Sequence, residues 1–371
     1  MKITELETIF VKPRWLFLKV HTDEGIVGLG EPVVEGRAQT VAAAVKEIGR
    51  YLIGQDPRRI EHHWQAIYRG QFYRGGPVLT SALSGIEQAL WDITGKWLGV
   101  PVYQLLGGAV RDRIRMYGWL GGDTYGDYIE SAKVSANQGF TALKTGILGA
   151  VNIVDTPAVV EANVERFAMI REAVGKEVDV GIDFHGRVSP AMAVRLARAL
   201  EPYEPMFIEE PVLPDNVDAM VTVARSTTIP IATGERLFTK WGFREVLEKQ
   251  AASILQPDLS HAGGILECKK IAAMGEAYFA AIAPHCPLGP IALASCLQLD
   301  ACTPNFIAQE HVTLGEGYLK EPFVVKDGYI DLPTKPGLGI ELDEEALDDK
   351  FNDGSWETPR LWHKDGSVAD W

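Results

Sequence analysis

The spacing of hydrophobic residues changes near residue 110, and the two sides of that point predict different architectures. Before it, two runs that alternate polar and apolar positions, 1–11 and 15–23, predict β-strands, and Asp23-Glu24-Gly25 predicts a hairpin turn into a third strand. Apolar residues three and four positions apart then predict helices, one of them headed by Asp56-Pro57 as N-cap and first helical residue. These helices are predicted over residues 40–51, 57–68 and 80–98.

After residue 110, short apolar runs alternate with helix-length segments, a pattern typical of repeated βα units and a parallel sheet. The runs cover residues 115–120, 141–146, 179–184, 206–211, 229–235, 253–258, 279–285 and 305–310. Eight such units in about 200 residues match a (β/α)8 barrel. An open doubly wound sheet is the alternative, but it usually has about six strands and a glycine-rich first turn. No GxGxxG motif follows a strand here.

The predicted fold class is therefore α/β, a barrel preceded by an α+β domain. We predict that residues 1–110 form the α+β capping domain and that residues 111–315 form the barrel and carry the catalytic residues. Residues 316–371 are irregular in pattern and are predicted to be a tail that packs back on the capping domain. With 371 residues, 46% of them hydrophobic, the chain can bury a sizeable core.

The charge balance and the cysteine content narrow the classes of function. The net charge of −14 argues against nucleic acid and anionic membranes as partners, but not against a small anionic substrate. No apolar run approaches the ~20 residues needed to span a bilayer, and residues 1–10 do not have the pattern of a secretory signal. The four cysteines form no CxxC pair, so we predict reduced, buried cysteines in a cytoplasmic protein.

Acidic residues and a histidine recur at the ends of successive apolar runs. The series is Asp183, Glu209, Glu235, Asp258, His285 and Glu310. Its members are separated by 26, 26, 23, 27 and 25 residues, which is one βα unit per step. A single carboxylate at a strand end often only caps the next helix. Because equivalent positions on successive barrel strands lie side by side at the carboxyl-terminal mouth, the whole series predicts one shared site.

Three adjacent members of the series, Asp183, Glu209 and Glu235, are predicted metal ligands. Neighbouring carboxylates repel one another and raise each other's pKa unless a cation lies between them. Ligands that offer only oxygen suit Mg²⁺. A zinc hydrolase barrel is the competing interpretation, but it would need histidine ligands at the first strand end, where the sequence has Tyr117-Gly118-Trp119.

Two histidines are predicted to act on a substrate in this site. Asp258 lies one strand from His285, and a carboxylate beside an imidazole orients the ring and raises its basicity. His185 follows Asp183 by two residues and so lies on the same side of the extended strand end. This set suits removal of a proton next to a metal-bound carboxylate, followed by dehydration if a 3-hydroxyl can leave and by racemisation if it cannot. His21, His62, His63, His261 and His363 are interpreted as surface or packing residues.

Longer motifs around these positions resemble the enolase superfamily, in its mandelate-racemase-like branch. The matching segments are 181–187 (GIDFHGR), 207–211 (FIEEP), 234–236 (GER), 254–264 (ILQPDLSHAGG), 283–290 (APHCPLGP), 72–77 (FYRGGP), 367–371 (SVADW), Arg14-Trp15 and Gly30-Glu31-Pro32. They span nearly the whole chain. The resemblance implies a modified (β/α)8 TIM barrel whose capping domain is formed by the N-terminal segment and the C-terminal tail together and closes over the barrel mouth.

The same resemblance implies a magnesium-dependent acid-sugar dehydratase that acts on a small sugar acid and forms a homo-oligomer. In that family His285 with Asp258 would remove the C2 proton, and His185 would be the acid for the 3-hydroxyl. Glu310 would bind the substrate carboxylate or the enediolate. The alternatives are a dehydratase of another sugar acid, a racemase or epimerase of the same superfamily, and a non-catalytic sugar-acid-binding protein. The intact set of site residues argues against the last of these.

The sequence also departs from the family pattern. Thr124-Tyr125 replaces an Arg-Pro, residues 146–155 are more apolar, and residues 311–317 differ; all three departures bear on substrate identity. Lys144-Thr145-Gly146 stands where many relatives have Lys-x-Lys, which leaves His285 as the base. Lys144 itself is predicted either as a charge near the metal site or as a solvated lysine at the strand end.

Residues in glycine- and proline-flanked loops of the first domain are predicted to contact the substrate. They are Arg14, Trp15, Tyr73 and Arg74. Loops held by a rigid scaffold often determine specificity, and an aromatic ring with a cation suits a polyhydroxylated anion. Packing between the two domains is the alternative role for each of them.

Overall fold

The chain begins with a three-stranded antiparallel sheet in the computed structural model, which describes residues 1–371. Its strands pair in chain order and are β1 (Ile3–Val11), β2 (Trp15–Thr22) and β3 (Val27–Gly30). The central strand is buried over the consecutive residues Trp15–Leu18, so the alternation predicted for it is wrong over that stretch, because both faces of the strand are covered there. Gly25 in the turn before β3 has φ 77°, a left-handed conformation that glycine adopts without strain. The predicted hairpin is therefore confirmed.

Four helices complete the N-terminal region. They are α1 (Ala38–Leu52), α2 (Ile60–Arg69), α3 (Pro77–Leu98) and α4 (Val102–Leu105). The predicted start of the second helix at Pro57 is wrong. The carboxylate of Asp56 accepts a hydrogen bond from the backbone N–H of Arg58 at 3.0 Å and pairs with its guanidinium at 2.7 Å, so it closes a local turn and the helix starts at Ile60. Side-chain bonds of this kind compete with helix capping.

Strand β3 and helix α3 cross at very short range, and glycine makes this possible. A Cβ atom built on Gly30 would lie 1.9 Å from the carbonyl oxygen of Gly85, so only a hydrogen fits there. The contact fixes the long, buried helix α3 against the sheet. The same contact orients α3 so that its polar side chains face the barrel.

Eight parallel strands form the barrel. They are β4 (Arg113–Trp119), β5 (Ala142–Gly146), β6 (Asp179–Asp183), β7 (Ile208–Glu209), β8 (Ile231–Thr233), β9 (Ile254–Leu255), β10 (Ala281–Ile282) and β11 (Gln309–Glu310). They pair in sequence order from β4 to β10, and β11 pairs with β4. A parallel bridge between Ile282 and Phe306 joins the two ends of the sheet. The ring is therefore closed, which confirms the barrel and excludes the open doubly wound sheet.

Seven helices connect the barrel strands. They are α5 (Tyr125–Asn137), α6 (Pro157–Val174), α7 (Pro190–Leu200), α8 (Val217–Ala224), α9 (Thr239–Glu248), α10 (Ile265–Ala277) and α11 (Pro290–Ala301), with a 3₁₀ turn at Glu201–Tyr203. No comparable helix follows the eighth strand, and the chain continues there into the tail. The barrel is modified in this respect.

The tail contacts both the barrel and the N-terminal sheet. Its elements are β12 (Tyr329–Asp331), α12 (Glu344–Leu347), a 3₁₀ turn (Asp348–Lys350), β13 (Leu361–Trp362) and β14 (Val368–Ala369). Strand β12 pairs antiparallel with β4 of the barrel. Farther on, the N–H of Asn352 donates to the carbonyl of Phe10 at 3.1 Å, and the N–H of Lys12 donates to the carbonyl of Lys350 at 2.7 Å. The tail therefore joins the first strand to the barrel.

Buried carboxylates of the N-terminal region cap two barrel helices. Glu87 on α3 accepts hydrogen bonds from the backbone N–H groups of Ile265 (2.7 Å) and Leu266 (2.9 Å), where α10 begins. Glu31, which directly follows β3, accepts from Gly289 (2.7 Å) and Ala292 (2.9 Å) at the start of α11. The first N–H groups of a helix have no partner inside it, and they favour a negative charge. These contacts tie the N-terminal region to the helices that follow β9 and β10.

Replacing Glu87 with Ala is expected to lower the free energy of unfolding by about 2–4 kcal/mol, because buried N–H groups lose their acceptor. Denaturant unfolding measures the change. The matched control is Glu61→Ala on α2, whose side chain is 47% exposed and pairs with Lys270. That change should stay within about 0.5 kcal/mol. Equal effects of the two substitutions would contradict a stabilising role for the buried cap.

All four cysteines, Cys268, Cys286, Cys296 and Cys302, are buried and form no disulfide, which agrees with the predicted packing role. None of the helices has the length and apolar character needed to cross a lipid bilayer.

Candidate active site

The predicted polar series lies at the carboxyl end of the barrel strands. Asp183, Glu209 and Glu310 are the last residues of β6, β7 and β11. The other three members, Glu235, Asp258 and His285, follow β8, β9 and β10 by two or three residues. The closed ring thus brings together side chains that are far apart in the chain. It does so because each βα unit returns the next strand to the same direction.

A cavity of about 440 Å³ opens at this end of the barrel. Its wall contains seven of the predicted site residues, namely Arg14, Lys144, Asp183, His185, Glu235, His285 and Glu310. Glu209 and Asp258 are fully buried and contact this wall through Lys144 and His285. The structure therefore brings together every residue predicted for metal binding and for proton transfer.

Three carboxylates in this cluster form a set of oxygen donors. One oxygen each of Asp183, Glu209 and Glu235 lies within 4.8 Å of the others. Burial, and then the charge of Glu209, raises the pKa of Asp183 well above its usual range. Burial likewise raises the pKa of Glu209 to about 7. Three buried carboxylates this close are stable as anions only when positive charge lies among them, so the donor set fits a hard divalent cation.

Lys144 is a fully buried cation within the same cluster. Its ammonium lies 2.8 Å from both carboxylate oxygens of Glu209 and 2.8 Å from Glu310, and 3.6 Å from Asp183. Burial acts to lower its pKa, but the charges of Glu209 and Glu310 outweigh burial and raise the pKa well above the usual value. The side chain is 1% exposed. Of the two predicted roles of Lys144, the structure shows a buried charge beside the carboxylates and not a solvated lysine.

His285 is held between two carboxylates. Its Nδ1 lies 2.8 Å from Asp258, and its Nε2 lies 2.9 Å from Glu235. Asp258 is itself fixed by the backbone N–H of Ser260, which donates to it at 2.7 Å. Burial acts to lower the pKa of His285, but the charge of Glu235 and the hydrogen bond that His285 donates to Asp258 raise it well above the usual value. The arrangement yields an oriented and strongly basic imidazole.

His185 lies on the opposite side of the barrel mouth, four strands from His285. Its backbone has φ 53°, a left-handed conformation that is rare for a residue with a side chain. The N–H of His185 donates to Asp183 at 2.7 Å, which stabilises this conformation. Its ring stacks on Trp119 with centroids 6.4 Å apart and planes inclined by 12°. Burial lowers the pKa of His185 to about 4.

Sequence reasoning did not identify several residues that line the cavity. They are Trp119, Arg236, Phe238, His261 and Trp371, together with Glu35, Pro287 and Thr358. Arg236 donates to buried Glu210 and, at 3.2 Å, to the carbonyl of His185. His261 was interpreted as a surface or packing residue, yet its Nδ1 lies 3.5 Å from Asp258. The sequence signals that could have found them are adjacency and the resemblance, since Arg236, His261 and Trp371 lie in the matching segments 234–236, 254–264 and 367–371.

The four predicted contacts from the first domain fall in different places. Arg14 lines the cavity, pairs with Glu35 at 2.6 Å and lies 5.2 Å from the ring of Trp356. Trp15 is 4% exposed and packs on Tyr318, away from the cavity. Tyr73 and Arg74 lie at a separate surface pocket that α1, α2 and α3 line together. Of the four, the structure brings only Arg14 to the candidate site.

The three departures from the family pattern lie in different parts of the structure. Thr124 is the N-cap of α5 and forms a capping box with Asp127, so the departure at Thr124-Tyr125 lies at the start of a helix. In residues 146–155, Ile147 and Val151 are buried in the core. In residues 311–317, Val312 lines the cavity. The last segment is therefore the departure that directly touches the candidate site.

Comparison with known proteins identifies the family to which this chain is similar. The enolase C-terminal domain-like family matches residues 127–346, and the mandelate racemase/muconate lactonizing enzyme N-terminal domain matches residues 7–107. A D-galactonate dehydratase from Ralstonia nicotianae is 53% identical over 382 residues, and one from Cronobacter sakazakii is 52% identical over 382 residues. Each alignment covers 100% of this chain and 100% of the relative.

Solved structures agree with the sequence comparison. A mandelate racemase/muconate lactonizing enzyme from a Sulfitobacter species superposes with a TM-score of 0.93 at 36% identity, covering 100% of both chains. Another from a Jannaschia species has a TM-score of 0.91 at 34% identity and covers 97% of this chain and 99% of that one. The chain therefore belongs to the mandelate racemase/muconate lactonizing enzyme family of the enolase superfamily.

Proposed function

We propose that the protein is a magnesium-dependent D-galactonate dehydratase that forms 2-dehydro-3-deoxy-D-galactonate. One observation carries this proposal: His285, paired with Asp258, and His185 face one cavity from opposite sides of a three-carboxylate cluster. A base and an acid on two sides of a bound sugar acid are what the removal of water across C2 and C3 requires. The identity of about 53% to D-galactonate dehydratases over the full length supports the choice of substrate.

His285 is the proposed base. It takes the C2 proton, and the electron pair of the C–H bond moves toward the substrate carboxylate. Asp258 at 2.8 Å holds the ring in place and stabilises the imidazolium that forms. In this proposal Asp258 stays ionised and acts only through His285.

Glu310 and Lys144 are proposed to hold the carboxylate end of the substrate. The Lys144 ammonium brings positive charge to the place where the enediolate develops, and such a preorganised charge acts strongly in a buried site. Glu310 is kept in position by Lys144 at 2.8 Å and by the backbone N–H of Cys286, which donates to it at 2.8 Å. Arg14 at the cavity wall is a further proposed substrate contact.

His185 is the proposed acid. As the enediolate collapses, the C3–O bond breaks, and the departing hydroxyl takes a proton from His185 and leaves as water. The resulting enol then tautomerises to the 2-keto acid: its hydroxyl loses a proton and C3 gains one. Burial lowers the pKa of His185 to about 4, but an anionic substrate beside the ring opposes that shift because negative charge favours the imidazolium.

Asp183, Glu209 and Glu235 are the proposed ligands of Mg²⁺, which all-oxygen donors suit. When bound, the ion would make the C2 proton more acidic by stabilising negative charge on the substrate carboxylate.

We also infer a cytoplasmic location, which the free, buried cysteines suit. The homo-oligomer, and substrate contacts by Trp15, Tyr73 and Arg74, stay predictions.

The test is a panel of sugar acids incubated with the protein and Mg²⁺, with 2-keto acid formation as the readout. D-Galactonate is expected to have the highest kcat/KM. Preference for another acid by tenfold or more would reject D-galactonate and favour the alternative of a different sugar-acid dehydratase. Loss of the C2 configuration without keto acid would favour the racemase or epimerase, and binding without turnover would favour the non-catalytic sugar-acid-binding protein.

A further inference from the structure

Trp371 lies in the wall of the candidate active site, although it is 61 residues beyond the last barrel strand. Its indole ring contacts the ring of His185 edge to face, with centroids 5.4 Å apart and planes inclined by 84°. Trp119 stacks on the same imidazole. His185 is thus bracketed by two indoles, one from the first barrel strand and one from the end of the tail.

Two features hold Trp371 in this place. Strands β13 and β14 form a small hairpin that ends two residues before it, and Ala369 at the end of β14 is 7% exposed. The guanidinium of Arg187, two residues beyond His185, lies 5.3 Å from the indole centroid. A cation over the face of a Trp ring is a favourable contact. Trp371 nevertheless stays 41% exposed, and it lines the cavity.

We propose that Trp371 is a specificity-determining residue that forms the wall for the carbons of the sugar acid beyond C3. The proposal rests on the function proposed above. The carboxylate end then lies at Lys144 and Glu310, and C3 lies at His185, so C4 to C6 continue past His185. The nearest wall there is the indole of Trp371. The C–H face of a sugar chain packs well on an aromatic ring, and burial of that surface adds affinity with every carbon in contact.

The test uses three acids that share the configuration at C2 and C3 but differ in length. They are D-galactonate with six carbons, L-arabinonate with five and L-threonate with four. kcat/KM is measured with Mg²⁺ for the wild type, Trp371→Ala and Trp371→Phe. Trp362→Ala is the matched control, because Trp362 lies in the same hairpin, is 59% exposed and does not line the cavity.

Trp371→Ala is expected to lower kcat/KM for D-galactonate by about 10- to 100-fold and for L-threonate by less than about threefold. The preference for six over four carbons should therefore shrink about tenfold or more. Trp371→Phe should keep most of the preference, and Trp362→Ala should keep all of it. An equal loss for all three acids, or a loss of the same size in Trp362→Ala, would overturn the proposal, since a purely structural role does not sort substrates by length.

Calorimetric binding of the same acids separates this proposal from the proposed function. If the wild type turns over none of them, the dehydratase assignment fails, and the dissociation constants of wild type and Trp371→Ala decide the role of Trp371. Weaker binding of D-galactonate by the variant, with unchanged binding of L-threonate, would support the proposed role of Trp371 as the wall for the carbons beyond C3. Binding that does not depend on chain length in the wild type, or no binding at all, would overturn it.

Discussion

His285→Asn is expected to abolish turnover, with kcat reduced at least about 10³-fold, and also to abolish exchange of the C2 proton with D₂O. If His285 is the base, no later step can proceed without it. His185→Asn is expected to lower keto acid formation by a similar factor but to keep C2 exchange, because the enediolate still forms when the 3-hydroxyl cannot leave. Proton NMR of recovered D-galactonate measures the exchange, and the 2-keto acid assay measures turnover.

Asp258→Asn serves as the graded control for this pair. It keeps the imidazole of His285 but removes the carboxylate 2.8 Å from Nδ1 that orients the ring, so exchange and turnover should fall together and by less than in His285→Asn. Exchange that survives in His285→Asn and vanishes in His185→Asn would show that the roles of acid and base are reversed. Equal loss of exchange in both variants would reject a separate acid step.

Removal of one carboxylate from the metal cluster is expected to reduce turnover as strongly as His285→Asn does. Glu209→Ala takes away a donor that lies within 4.8 Å of oxygens of Asp183 and Glu235. Mg²⁺ affinity, measured by calorimetry, and kcat should fall together, kcat by at least about 10³-fold. Treatment of the wild type with EDTA should have the same effect on activity, reversed by added Mg²⁺. Circular dichroism should show the barrel still folded.

Asp179→Ala is the matched control for the metal test. Asp179 lies at the start of β6, the strand that ends at Asp183, and its side chain is 49% exposed and pairs with Arg115. It lies at the opposite end of the barrel from the cluster, so activity and Mg²⁺ affinity should change less than about threefold. Full activity in EDTA, or in Glu209→Ala, would reject the metal assignment.

The barrel was predictable because its hydrophobic pattern is periodic. All eight apolar runs became strands, and the helix boundaries were mostly close, with α1 starting at Ala38 where 40 was predicted. The start of α2 did not follow from the sequence in the same way. Asp56-Pro57 has the composition of a helix start, but Asp56 pairs with Arg58 instead, and the competition between a cap and a turn depends on side-chain geometry.

The candidate site was predictable where its residues follow the barrel repeat. The sequence allows two roles for Lys144, because it does not reveal whether a lysine at a strand end contacts solvent or carboxylates. Trp15 and Tyr73 carry the same aromatic signal as Trp371, yet only Trp371 lines the cavity. Composition could not separate them, since what differs is the path of the chain between each residue and the barrel.

The sequence by itself determined the closed repeat and the six polar residues at its mouth. The reason is that residues one βα unit apart in the sequence lie side by side on adjacent strands of a barrel. Only the tertiary structure decided which parts of the N-terminal region and tail complete the site. Arg14 and Trp371 reach the cavity through contacts with Glu35 and His185 that are distant in the chain, and such contacts leave no period in the sequence. They follow from how the domains pack, and packing is a property of the whole chain.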